Sequence, residues 1–134
     1  MTLVATAAVR DAMIRHARRD RPLECCGLLL GSRRRVSHAV AMPNLEVSVS
    51  RYRIDDAAHI EMRRIVRRIA PPLSIVGVYH SHPAGDAAPS DRDVREAMYP
   101  DWVYMIVGLA PRRPVVRAFR IRDGRVRTLA VRWR

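Results

Sequence analysis

His80-Ser-His-Pro-Ala-Gly-Asp-Ala-Ala-Pro-Ser-Asp-Arg-Asp93 is the stretch on which the reading of this chain turns. It follows Leu73–Tyr79, a β-branched and apolar run that predicts a central strand. Side chains two apart on a strand share a face, so a strand over 73–82 sets His80 and His82 side by side. Pro83 then turns the chain out of the sheet, and Ser90 opens a short helix to about Met98 with Asp93 in its first turn. Two imidazoles and one carboxylate supply three ligands of a tetrahedral zinc site and leave the fourth position to water, as in a catalytic rather than a structural site. Asp86 and Asp91 are the competing carboxylates. Taken singly, each feature has a plainer meaning: His-x-His occurs on many strands without a metal, and Ser90-x-x-Asp93 is also a helix-capping arrangement. Occurring together, they point to a metal site.

Working outward, Ala5–Arg19 carries Val9, Met13, His16 and Ala17 at helical spacing, with Thr6 as an N-cap and Pro22 as the stop. Cys26–Gly31 is a continuous apolar run between glycines, a buried strand, and Val36–Met42 is its partner across the turn at Ser32–Arg35. Residues 44–53 read as loop or edge strand. Asp55 or Asp56 caps a second helix with Met62, Ile65, Val66 and Ile69 on one face, and Pro71-Pro72 ends it. Trp102–Val107 is a further strand. Val115–Ile121 and Val126–Trp133 flank Asp123-Gly124, a hairpin signature. Helices alternating with strands early, and strands clustering late, predict an α/β fold with one mixed β-sheet flanked by helices.

The 134 residues suit a single domain over 1–134, and an apolar fraction of 49% fits a folded protein. No apolar run reaches the roughly 20 residues that span a bilayer, and Thr2–Val9 lacks the features of a signal peptide. Cys25 and Cys26 are adjacent and cannot staple distant segments, so we expect a reducing, cytoplasmic setting with both as packing residues. The net charge is +12 and every basic residue is arginine. Such a field suits an anionic partner, but no aromatic RNA-binding motif, zinc finger or Gly-rich loop supports nucleic acid. His16, His38 and His59 have no partners at ligand spacing.

The combined motif resembles that of the JAMM or MPN-type zinc metalloproteases: an upstream glutamate, then His-x-His-Pro, then an aspartate after ten residues with a serine three before it. His82 and Asp93 bracket ten residues, Ser90 sits three before Asp93, and both Asp86 and Asp91 break that spacing. Pro22-Leu-Glu-Cys-Cys-Gly-Leu-Leu-Leu-Gly31 is similar to the family's glutamate-bearing segment, and His16-Ala17 to the end of its first helix. The resemblance implies a sheet with flanking helices, similar in architecture to cytidine deaminases. It also implies one Zn2+ per chain on His80, His82 and Asp93, with Glu24 as general base and Ser90 facing the developing oxyanion.

A deaminase needs His-x-Glu and Pro-Cys-x-x-Cys, which this chain lacks. A metal-free binding scaffold of the same fold, or a broader small-peptide metallopeptidase, are the alternatives. The compact length resembles bacterial forms that act on sulfur-carrier proteins of ubiquitin-like fold with Gly-Gly tails, which makes such a carrier, or a ubiquitin-like protein, the expected partner. Arg63, Arg64, Arg67 and Arg68 repeat at i and i+4 on the second helix, a basic stripe suited to steering an acidic carrier or to facing solvent.

Overall fold

A computed structural model describes residues 2–69 and 71–134. In chain order the elements are β1 (Thr2–Ala5), α1 (Ala7–Asp20), β2 (Cys26–Ser32), β3 (Arg35–Met42), α2 (Asp56–Ile69), β4 (Ser74–His82), α3 (Asp91–Glu96), β5 (Val103–Gly108), β6 (Val115–Arg122) and β7 (Arg125–Trp133). The strands pair in the order β1-β3-β2-β4-β5-β6-β7, and β7 returns to β1, so the sheet closes into a barrel. The β1–β3, β1–β7 and β4–β5 pairs are parallel and the others antiparallel, a mixed sheet as expected.

Closure was not legible beforehand. It depends on β1, four residues whose last, Ala5, lies within the span expected for the first helix. A strand that short carries no alternation to read; its backbone is fixed by pairing Val4 with Arg35 on one side and Arg132 on the other. Thr6 then starts α1 by accepting the Val9 amide at 3.1 Å.

The four residues picked out at helical spacing, Val9, Met13, His16 and Ala17, are the buried residues of α1. They face the inner surface of the sheet, where Leu29, Tyr79, Met105 and Ala118 complete the main core. On the outer surface α2 covers Leu28, Leu30, Met42 and Ile75. Leu28 and Leu30 therefore lie under a helix while Leu29 points inward, which is why β2 reads as an unbroken apolar run. Fully burying each such leucine stabilises the fold by about 1.5–3 kcal/mol.

One expectation for α2 needs correcting, and the choice of its cap is decided. Its packed stripe is Ala58, Met62 and Val66 at i, i+4 spacing, whereas Ile65 and Ile69 are 37% and 75% exposed. The sheet offers only one narrow seam, so a wider apolar face is left partly in water. Asp55 is the cap, its carboxylate accepting the Ala58 amide at 3.1 Å. At the far end of the chain, Asp123 (φ 50°) and Gly124 (φ 75°) form the two-residue left-handed turn expected between β6 and β7.

Gly27 sets the distance between β2 and the ring of Tyr79 on β4, its cross-strand partner. A Cβ there would lie 2.2 Å from the ring and 2.5 Å from the Val40 carbonyl oxygen. The ring is itself held, because the Tyr79 hydroxyl lies 2.6 Å from His16 Nδ1 and His16 Nε2 is 3.2 Å from Asp20. Gly27→Ala should cost about 1–3 kcal/mol through overpacking, read from the denaturant midpoint. An unchanged midpoint would mean that Tyr79 is free to swing away.

Candidate metal centre and active site

β4 alternates Tyr79 and Ser81 inward against His80 and His82 outward. Ser81 is fully buried, and its hydroxyl accepts the Cys25 amide at 2.9 Å. The two histidine rings are 5.0 Å apart, with Nε2 atoms 3.1 Å from one another. Asp93, from the first turn of α3, brings Oδ2 to 3.2 Å from His80 Nε2 and 3.1 Å from His82 Nε2. Among the described residues this is the one group of three side chains of ligand type whose donor atoms converge, all within 4.8 Å.

The capping box of α3 fixes that carboxylate. Ser90 Oγ accepts the Asp93 amide at 3.1 Å, and Asp93 Oδ2 accepts the Ser90 amide at 2.9 Å. The oxygen aimed at the two imidazoles is thus anchored by the helix N-terminus, and the two readings of Ser90-x-x-Asp93 describe one arrangement. Burial alone would raise the Asp93 carboxyl; hydrogen bonds from His80 and His82, when these rings are protonated at Nε2, outweigh it and hold the group far below the ordinary carboxylate range.

The proton inventory shows what fits between these atoms. His82 Nδ1 lies 2.8 Å from the Asp86 carbonyl oxygen, which only accepts, so Nδ1 carries the hydrogen. The neutral ring then presents a bare lone pair at Nε2, facing the Asp93 carboxylate 3.1 Å away. Two acceptors at that distance require a cation or a shared proton between them. Two imidazole nitrogens and one carboxylate oxygen suit a divalent ion of borderline softness.

Glu24 precedes β2, and the ladder brings it to the site. Cys26 pairs with His80, and the Ser81 amide donates to the Cys25 carbonyl at 3.1 Å, so the next step sets Glu24 beside His82 on the same face. Glu24 is 6% exposed, and burial pushes its carboxyl up to about 7, with His82 opposing and Asp93 adding to the shift. Asp86 contributes its carbonyl rather than its carboxylate, and Asp91 is an exposed first residue of α3. Cys25 and Cys26 are buried, and burial pushes their thiols up to about 11 and about 12, which disfavours a thiolate.

Three participants escaped the sequence reading. Tyr52 stacks on His80 with ring centroids 4.3 Å apart and planes 17° from parallel. His80 Nδ1 is buried without a hydrogen-bond partner, so this stack, rather than an outer hydrogen bond, restrains the ring. Asn44 holds the Tyr52 segment in place: its amide nitrogen donates to the Glu24 and Arg51 carbonyls, and its oxygen accepts from the Glu46 and Arg53 amides. Gly108 lets the segment after His82 fold back over β5, since a Cβ there would sit 2.5 Å from the Ala87 amide nitrogen. An aromatic and an asparagine in a loop of mixed polarity were the available signals. Tyr52→Leu should weaken divalent-cation binding by roughly tenfold while Tyr52→Phe preserves it, measured by chelator competition. Parent-like affinity in the leucine variant would remove the stack from the site's design.

Residues 6–122 match the family described as prokaryotic homologs of the JAB domain. The chain is 39% identical over 127 residues to the CysO-cysteine peptidase of Mycobacterium tuberculosis, covering 92% of this chain and 86% of that one. It is 36% identical over 117 residues to a probable TtuB-protein conjugate cleaving protease of Thermus thermophilus, covering 87% and 74%. Its fold superimposes on the solution structure of a Desulfitobacterium hafniense protein with a TM-score of 0.88 at 31% identity, over 100% of this chain and 93% of that one. The chain therefore belongs to the JAMM/MPN-type family, in its prokaryotic JAB branch.

Proposed function

We propose that this protein is a zinc metallopeptidase that hydrolyses an amide at the C-terminal Gly-Gly tail of a sulfur-carrier or ubiquitin-like protein. The observation that carries this reading is the convergence of His80, His82 and Asp93 beside the buried carboxyl of Glu24. Donor atoms 3.1–3.2 Å apart come near the roughly 3.3 Å between atoms bound at about 2.0–2.1 Å to one tetrahedral zinc. The names of the mycobacterial and Thermus relatives, a carrier–cysteine peptidase and a conjugate-cleaving protease, support the substrate class.

When bound, zinc supplies Lewis acidity that brings the pKa of a water to roughly 7. Glu24 takes the proton of the attacking water and returns it to the leaving amine. A proton affinity near neutrality lets one carboxylate do both. Ser90 uses an Oγ lone pair to accept the Asp93 amide, which leaves its own hydrogen to donate to the substrate carbonyl as negative charge develops. On α2 the arginines at 63, 64, 67 and 68 are exposed, although Arg64 shares Glu61 at 3.1 Å. They suit an acidic carrier and act on its rate of encounter. Among the described residues no helix is long and apolar enough to cross a membrane.

Incubating the zinc-loaded protein with a panel of carrier C-terminal adducts and reading products by mass spectrometry tests the proposal. Release of the C-terminal group with an intact Gly-Gly tail is expected. Glu24→Gln should keep its zinc and fold while losing at least about 10²-fold in rate. Ser90→Ala should lose about 1 kcal/mol of stability and roughly 10²-fold in rate. Turnover of no adduct would leave a binding scaffold, and equal cleavage of unrelated peptides would make the protein a broader peptidase.

A further inference from the structure

The end of the barrel remote from His80 and His82 is concave. There the β2–β3 turn and the starts of β1, β4 and β5 enclose a cavity of about 250 Å³. Its floor is apolar, with Leu3, Val36 and Val103 buried. Its rim is cationic: Arg33, Arg34, Arg35 and Arg120 all line it. Three of these four come from one turn, Arg33–Arg35, and Arg120 joins them from β6.

Arg120 is the informative residue. It lies two positions from Ala118, which belongs to the inner core, so on β6 it projects to the inside of the barrel mouth. Its Nε is buried and has no hydrogen-bond partner. A guanidinium donor withdrawn from water without an acceptor is destabilising, and an anion is the partner that relieves it. The acid on the rim, Asp101, is bound to Arg122 at 2.8 Å, and among the described residues none of the four rim arginines is paired with a carboxylate. Arg34 also sits at φ 62°, in the left-handed region that favours glycine, so the turn holds a guanidinium at the rim at some conformational cost.

We propose that this cavity binds a phosphate group, with Arg120 donating from within and the arginines of the β2–β3 turn closing over it. Guanidinium forks match phosphate geometry, and several of them balance a dianion better than a single carboxylate. The apolar floor leaves room for a small non-polar substituent, so the group belongs either to a phosphomonoester or to free phosphate.

Calorimetric titration of the full-length, metal-loaded protein with inorganic phosphate and with phenyl phosphate, at ionic strength held constant by sodium chloride, tests this. Saturable binding is expected. Tighter binding of phenyl phosphate identifies a monoester site, and equal affinity identifies free phosphate. Arg120→Met should lose at least tenfold in affinity yet melt no lower than the parent in phosphate-free buffer, because it removes an unpaired buried donor. Should that variant not fold, Arg34→Gly relieves the turn and should weaken binding several-fold. Absence of saturable binding, or affinity unchanged in Arg120→Met or, failing that variant, in Arg34→Gly, would overturn the proposal.

Discussion

Cys26 lies opposite His80 across the β2–β4 ladder, and one step further Cys25 and Ser81 are joined by hydrogen bonds of 2.9 and 3.1 Å. The chemistry of the site hangs on that register. It faces Ser81 into the core, turns both histidines outward, and brings the carboxyl of Glu24 alongside His82, 58 positions further along the chain. A slip by one residue would exchange the two faces and bury both imidazoles among leucines. The register is secured from the inner side by Leu29 of β2 and by Tyr79, which fills the space that Gly27 leaves open.

The second constraint is electrostatic. One oxygen of Asp93 closes the capping box of α3 and also faces two imidazole nitrogens, so helix start and candidate metal site are built from the same atom. Around it, Asp86 fixes the His82 tautomer and Tyr52 stacks on His80, two different devices for holding neighbouring rings. Glu24 stands close by with its carboxyl raised by burial, a proton acceptor matched to neutral pH.

The parts of this arrangement that were legible in the sequence are those written in local spacing. His80-x-His82 on a strand, Ser90-x-x-Asp93 at a helix start, Asp123-Gly124 in a hairpin and the buried stripe of α1 each follow from a period or a turn rule, and the structure places them as expected. Glu24 was reachable only through resemblance, because nothing in its immediate neighbours announces a register with β4. What escaped was set by tertiary contact. β1 is too short to show a pattern, the packed face of α2 is narrower than its isoleucines suggest, and Tyr52 acquires its place only once Asn44 has folded the 44–53 loop against Glu24.

Two imidazole nitrogens and one carboxylate oxygen converge within reach of a single ion. Elemental analysis of folded, zinc-reconstituted protein after exhaustive desalting, with His82→Ala alongside, tests this most directly. About one zinc per chain in the parent and little in the variant is the predicted result, as three protein ligands and a water require. A folded parent that retains none would contradict it.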